Sequence, residues 1–237
     1  MDSNRKAAII VGVLFIIGTV SGILSVFSTG PLRGPDYLIN ASANENQIIT
    51  GAFLVFIMGV ALAPVPVVLF PILRKHNESL ALGYVVFRVI EVVTYIISIM
   101  SILLQLTLSQ VYVQAAAPDA SIFQIFGTLL QESEVWIDHI RIIIFSLSAL
   151  ILNYVLYKSK LIPRWLSGLG LVAGTLHLAG GLLGMFGSLT GMSGLVIFLA
   201  FNVCILVQEM VWAGWLIIKG FNPSAIASES AQQNQTR

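Results

Sequence analysis

The chain has 237 residues, 57% of them hydrophobic and 10% charged, with a mean hydropathy of +0.92 and a formal net charge of +1. A soluble domain carries about 25% charged residues, so this chain lacks the polar cover for a water-facing surface and is expected to face lipid. The near-neutral balance gives no footing for nucleic acid or a strongly acidic partner, and the single cysteine, Cys204, excludes an intrachain disulfide.

Six apolar runs stand out, near residues 7–28, 49–73, 80–108, 139–157, 165–188 and 194–218. Each is long enough to cross about 30 Å of hydrocarbon at 1.5 Å per residue. Lipid offers the backbone no hydrogen-bond partner, and the runs are too long and too uniformly apolar for barrel strands. The expected fold is all-α, a six-transmembrane-helix bundle over residues 1–221. A Ser/Gln/Asn-rich tail over 222–237 is expected to be disordered.

Arg5 and Lys6 open the first run in the manner of a signal peptide. Its apolar stretch, Ala7 to Ser28, outlasts the roughly 7–15 residues of a signal-peptide core, which predicts an uncleaved first span. Gly30-Pro31 and Gly34-Pro35 mark turns in the loop that follows, Thr29 to Ile48. Pro64, Pro66 and Pro71 predict a kinked second span.

The third span carries a polar stripe: Tyr84, Arg88, Glu91, Tyr95, Ser98, Ser101, Gln105 and Ser109 recur in steps of three or four, which places them on one helix face. Between Gln110 and Asp138 a long loop is expected. Within it, Ser121 to Leu130 reads either as an interfacial helix or as an early start of the fourth span. Glu132, Glu134, Asp138, His139 and Arg141 cluster there. A carboxylate–histidine metal site is conceivable, beside the plainer reading of a solvated helix start. The fourth span adds Ser146 and Asn153.

The fifth span has a stripe of small residues: Ser167, Gly170, Gly174, Gly181, Gly184 and Ser188, interrupted by His177. Small residues let a neighbouring backbone approach closely, so this face predicts tight packing and, as a further expectation, a homo-oligomer contact. The sixth span places Asn202 and Glu209 on one face. The segment Gly191-Met192-Ser193-Gly194 resembles a Gly-x-Ser nucleophile motif, but no histidine follows it to serve as base. No span contains the lysine a retinal needs, and no paired histidines or phosphate loop point to another cofactor, so none is expected.

Orientation follows from the basic residues. Arg5, Lys6, Arg74, Lys75, Lys158, Lys160, Arg164, Lys219 and Arg237, nine of the twelve, fall on one side of a six-span topology. That side is expected to be cytoplasmic and to hold both termini.

Counting 1.5 Å per residue from the span ends puts Glu91, His177 and Glu209 roughly 14–18 Å deep, with Arg88 a turn shallower, in one layer. An ion at that depth costs about 3 kcal/mol or more unless paired, so these groups are expected to face inward and meet. One arginine against two glutamates leaves a negative charge. It calls for a proton on a carboxyl, a protonated His177 or a bound cation. In the functional reading, Arg88, Glu91, Tyr95, His177, Asn202 and Glu209 bind or conduct a small polar ligand, proton or cation. In the structural reading, Arg88 bridges both carboxylates, or Glu209 is neutral and bonds Asn202, and the chain serves as a structural or partner-binding subunit. An intramembrane enzyme has the least support.

The stretches LYKSKLIPRWLSGLGLVAG (Leu156 to Gly174), FRVIEVVTYIIS (Phe87 to Ser98) and QEMVWAGWLIIKGF (Gln208 to Phe221) resemble a bacterial and archaeal multi-pass family catalogued as domain of unknown function 4386. The resemblance rests on the Ile-Pro-Arg-Trp loop, the Arg-x-x-Glu of the third span and the Gln-Glu before a final Trp, and covers nearly the whole chain. It implies a prokaryotic plasma-membrane protein of about this size and no particular activity.

Overall fold

The computed structural model describes residues 3–34, 36–115, 120–188 and 191–226. Among them the chain is helical, with no strand. Helix α1 covers Ser3–Ser28, α2 Tyr37–Ala43, α3 Glu45–Leu62, α4 Pro64–Leu73, α5 Glu78–Ala115, α6 Ala120–Ser159, α7 Arg164–Met185 and α8 Gly191–Ile218. Six stretches are long and apolar enough to cross a membrane, α3 and α4 together forming the second, and the chain is a multi-pass membrane protein. The segment 227–237, most of the tail expected to be disordered, lies outside the described residues. Before it, Ala225 and Ile226 pack on the core.

The proline-rich second span divides at Ala63, where Pro64 opens α4. Ala63 still has helical torsions and donates to Gly59 O at 2.9 Å, so the two pieces remain nearly continuous. This is how a proline is tolerated inside a membrane: it takes the first position of a new helix, where its missing N–H was not needed.

The largest departure from the expected boundaries is between the third and fourth spans. The loop expected over Gln110 to Asp138 is almost entirely helix. The third span, expected to end near 108, runs to Ala115, and the fourth, expected from 139, begins at Ala120. Of the two readings of Ser121 to Leu130, the early helix start is the one observed. Their 38 and 40 residues make rods of about 57 and 60 Å, far more than hydrocarbon requires. Glu132, Glu134 and Asp138 lower the local hydropathy without breaking a helix, so an apolar window ends there while the helix does not.

This long hairpin is braced by the first loop. Ser109 donates its hydroxyl hydrogen to Leu38 O, and Gln131 Nε2 donates to Leu32 O at 2.9 Å. Tyr37 packs over Gly127 of α6, where a Cβ would strike its ring. Burial raises the Tyr37 phenol above its ordinary pKa.

Each span packs mainly on its neighbours in sequence, and α8 returns to α1, closing a ring. The closure is specific. Arg5 donates to the backbone oxygens of Leu216 (3.0 Å), Ile217 (2.5 Å) and Ile218 (3.2 Å), the carbonyls a helix C-terminus leaves unpaired. Phe15 meets Trp212 edge to face at 4.9 Å. A Cβ on Gly12 would lie 2.7 Å from Ala213 O, so only glycine permits this approach. The glycines of α7 likewise meet neighbours in the same chain: Gly170 Asn153, Gly174 Leu150, Gly180 Phe201, Gly181 Ile142 and Gly184 His139.

The end of the ring carrying both described termini and the basic loops, here the basic end, is densely filled. Leu69, Leu73, Leu156, Leu161, Ile162, Leu166 and Leu216 are fully buried there. The other end, the hairpin end, contains voids.

Candidate functional site

The stripe on α5 faces the ring interior: Tyr84, Arg88, Glu91, Tyr95, Ser98, Ser101, Gln105 and Ser109 are all buried, while Val86, Val89, Ile90, Val93, Ile96 and Ile97 are exposed. An ionisable group on the second face would meet lipid, so the alternation of polar and apolar steps fixes which side turns inward.

At the centre lies Arg88, 2% exposed. Its Nη1 donates to both oxygens of Glu91, at 3.1 and 3.0 Å. Its Nη2 lies 3.6 Å from Glu209 Oε1 on α8, across the ring. The guanidinium carbon is 5.3, 5.7 and 5.1 Å from the ring centroids of Phe15, Tyr84 and Phe145, within reach of cation–π attraction. These three aromatics come from α1, α5 and α6, and Phe145 also borders the smaller of the cavities described below.

The two carboxylates are held differently. Glu91 is 1% exposed, takes both Arg88 bonds, and accepts a third from the Tyr95 hydroxyl at 2.6 Å. Its lone pairs are largely committed. Glu209 is 17% exposed, sits at ion-pair rather than hydrogen-bond distance from Arg88, and borders an open cavity. Of the two, Glu209 has the fewer partners.

His177 and Asn202 form a neighbouring group. His177 Nδ1 shares a hydrogen with Ser146 Oγ at 2.8 Å and Nε2 with Asn202 Oδ1 at 3.3 Å, while the ring packs edge on to Phe145 at 5.3 Å. The amide of Asn202 donates to Phe198 O at 2.8 Å. The interruption in the small-residue stripe thus fills a gap with a hydrogen-bonded ring. Of the two arrangements the structural reading allowed, the geometry is that of Arg88 between both carboxylates, with Asn202 turned to His177 instead of Glu209.

Two cavities open from this layer toward the hairpin end. The larger, about 600 Å³, is bordered by Ser25, Thr29 and Arg33 near its mouth, Glu134, Asp138 and Gln105 midway, and Tyr95, Ser98 and Arg141 at its floor. The smaller, about 300 Å³, is bordered by His177, Phe198, Asn202, Ile205, Leu206 and Glu209. Tyr95, Asp138 and Arg141 border both. Arg141 Nη1 donates to Ser98 Oγ at 2.8 Å, its guanidinium carbon lies 5.6 Å from the Tyr95 ring centroid, and Nη2 pairs with Asp138. From the voids a polar path runs through Arg141, Tyr95 and Glu91 to Arg88.

Arg141 and Asp138 are therefore part of the central arrangement, although their sequence positions suggested a separate, solvated cluster. The signal was present in their spacing of three, since Arg141 shares a face with Phe145; an overlong loop hid it. The remaining members of that cluster diverge. His139 packs between Trp136 and Phe198 and against Gly184 on the far side of α6. Among the described residues, no group of three or more His, Cys, Asp or Glu side chains is placed to hold a metal ion. Around the two voids, Arg33 and Arg141 face Glu134, Asp138 and Glu209, with Arg88 and Glu91 neutralising each other. The acids exceed the bases by one.

A family model described as "Domain of unknown function (DUF4386)" matches residues 10–220, and the chain belongs to that family. No curated protein and no solved structure matches it.

Proposed function

For this member of the family we propose a membrane-embedded binding or transport protein for a small polar cation, received at Glu209 from the hairpin end. The basic end would face the cytoplasm, as the distribution of lysine and arginine predicts, so the voids would open outward. One observation carries the reading: Glu209, the less committed carboxylate, borders a cavity that meets a second, rim-reaching cavity at Tyr95, Asp138 and Arg141. A layer with only a structural role has no need of an open, acid-rich approach. A proton is the smallest occupant the same carboxylate could take, with Arg88 as the fixed counter-charge and Tyr95 as the group linking Glu91 to the void.

The test is thermal unfolding of the full chain in lipid nanodiscs against a panel of sodium, potassium, methylammonium and choline. A ligand that binds only the folded protein stabilises it, by about 2.7 kcal/mol at one hundred times its Kd. At least one cation should raise the Tm of the natural protein, and Glu209→Gln should remove that rise. If no cation shifts the Tm, and the variant changes baseline stability alone, the ion pairs only hold the spans in register.

A further inference from the structure

The contacts closing the ring between α1 and α8 are one-sided. The bonds, ring contacts and close approaches described above join Arg5, Gly12 and Phe15 to Trp212, Ala213 and the carbonyls of Leu216, Ile217 and Ile218, all toward the basic end. Beyond Phe15, α1 turns to α3. Gly18 abuts Leu62, Gly22 abuts Met58, and Thr29 abuts Gly51. The corresponding half of α8 leans on α7, through Phe201 over Gly180 and Asn202 on His177. On α1, Ile17, Val20, Ile23 and Leu24 are exposed, as are Leu199 and Val203 on α8.

Each of the two diverging halves walls one of the two voids, which meet at Tyr95, Asp138 and Arg141. Gly22, Ser25, Val26 and Thr29 of α1 border the larger cavity, while Phe198, Ile205, Leu206 and Glu209 of α8 border the smaller. These walls are mixed. The depth is polar and carries the acidic excess. The flank consists of valine, isoleucine, leucine and phenylalanine. A small hydrated ion uses only the first. A molecule with a cationic head and an alkyl tail uses both.

Resting on the cation-binding reading above, we infer that the ligand is an amine-bearing amphiphile that enters sideways from the bilayer between α1 and α8, setting its ammonium on Glu209 and its chain between the splayed helix halves. The gap faces hydrocarbon, where such a molecule is already concentrated and its tail need never cross water. Each buried methylene contributes about 0.8 kcal/mol when the reference is water, but almost nothing when it is lipid. Selectivity thus rests on the head group at Glu209 and on the fit of the first few carbons against Ile205, Leu206 and Phe198.

Nanodisc-embedded protein is titrated with dodecylamine, methylammonium and dodecanol. Dodecylamine should stabilise the natural protein at a total concentration at least tenfold below that of methylammonium, and dodecanol should not stabilise it. Glu209→Gln should abolish both amine responses, whereas Leu206→Trp, which narrows the flank, should weaken only the dodecylamine response, by tenfold or more. A photoreactive diazirine analogue of dodecylamine provides a readout on the unaltered protein, and should concentrate its label in peptides spanning 22–29 and 198–206. Equal potency of the two amines, with label spread evenly over the lipid-facing surface, would overturn sideways access and leave cation binding standing. Absence of any amine response beside a retained sodium or potassium response would overturn the amine ligand and leave cation binding standing; absence of every cation response would remove both.

Discussion

The two ends of the ring are built from the same kinds of helix and differ in how they are filled. At the basic end, buried leucines and an isoleucine from four helices and the α6–α7 loop meet, and α1 is fastened to α8 by a glycine approach, an aromatic pair and an arginine on three carbonyls. At the hairpin end the helices are longer, yet polar side chains line open space. In lipid, where apolar burial between helices gains little, close packing is the main stabilising device. Where the bundle leaves voids beside its charged layer, it has reserved that space for something other than stability. Arg88 marks the boundary, held by aromatic rings from three helices and by two carboxylates.

The sharpest way to break this contrast is at the boundary. Arg88→Met should leave Glu91 charged and buried with only Tyr95 to hold it, destabilising the protein by about 3–5 kcal/mol; loss of folded protein on size-exclusion chromatography would register it. Combining Arg88→Met with Glu91→Leu and Glu209→Gln removes all three charges at similar volume and should recover most of that loss. If it does not, the charged layer contributes more than mutual neutralisation.

Packing tests the two ends next. Leu156→Ala at the filled end should cost about 2–5 kcal/mol through the cavity it leaves. Met58→Ala, beside an existing void, should cost less than half as much by the same thermal unfolding. Equal losses would mean the voids are filled by something as well packed as protein.

The smallest expected effect concerns two glycines of α1. Gly12→Ala would press a methyl against the Ala213 carbonyl, a backbone atom that cannot yield, and should cost about 1–3 kcal/mol. Gly22→Ala meets only the Met58 sulfur, the far end of a flexible side chain, and should be close to neutral. A reversal of that order would place the tight α1 seam at the wrong end.

Six spans and the inward face of α5 were legible because lipid penalises exposed charge so heavily that a three-four polar rhythm has one stable orientation. The meeting of Arg88 and Glu91 follows from helix geometry alone. Glu209 was legible only as a depth, since nothing in a linear sequence says which two spans face each other across a ring. The length of the α5–α6 hairpin was hidden because hydropathy measures affinity for lipid and not helicity: Glu132, Glu134 and Asp138 are tolerable helix residues and poor lipid residues. Arg141 went with them. The aromatic wall of Phe15, Tyr84 and Phe145 was hidden for the opposite reason, because a phenylalanine in an apolar run looks the same whether it touches an arginine or a fatty acid.

The fastening of Arg5 to the last carbonyls of α8 bears on how the molecule is made. The first span leaves the ribosome long before its permanent neighbour exists, and until then its guanidinium has no carbonyls to hold. Ring closure is thus deferred to the final stage of synthesis. A chain interrupted before residue 216 would present the bilayer with an unfinished seam, a natural mark for quality-control proteolysis.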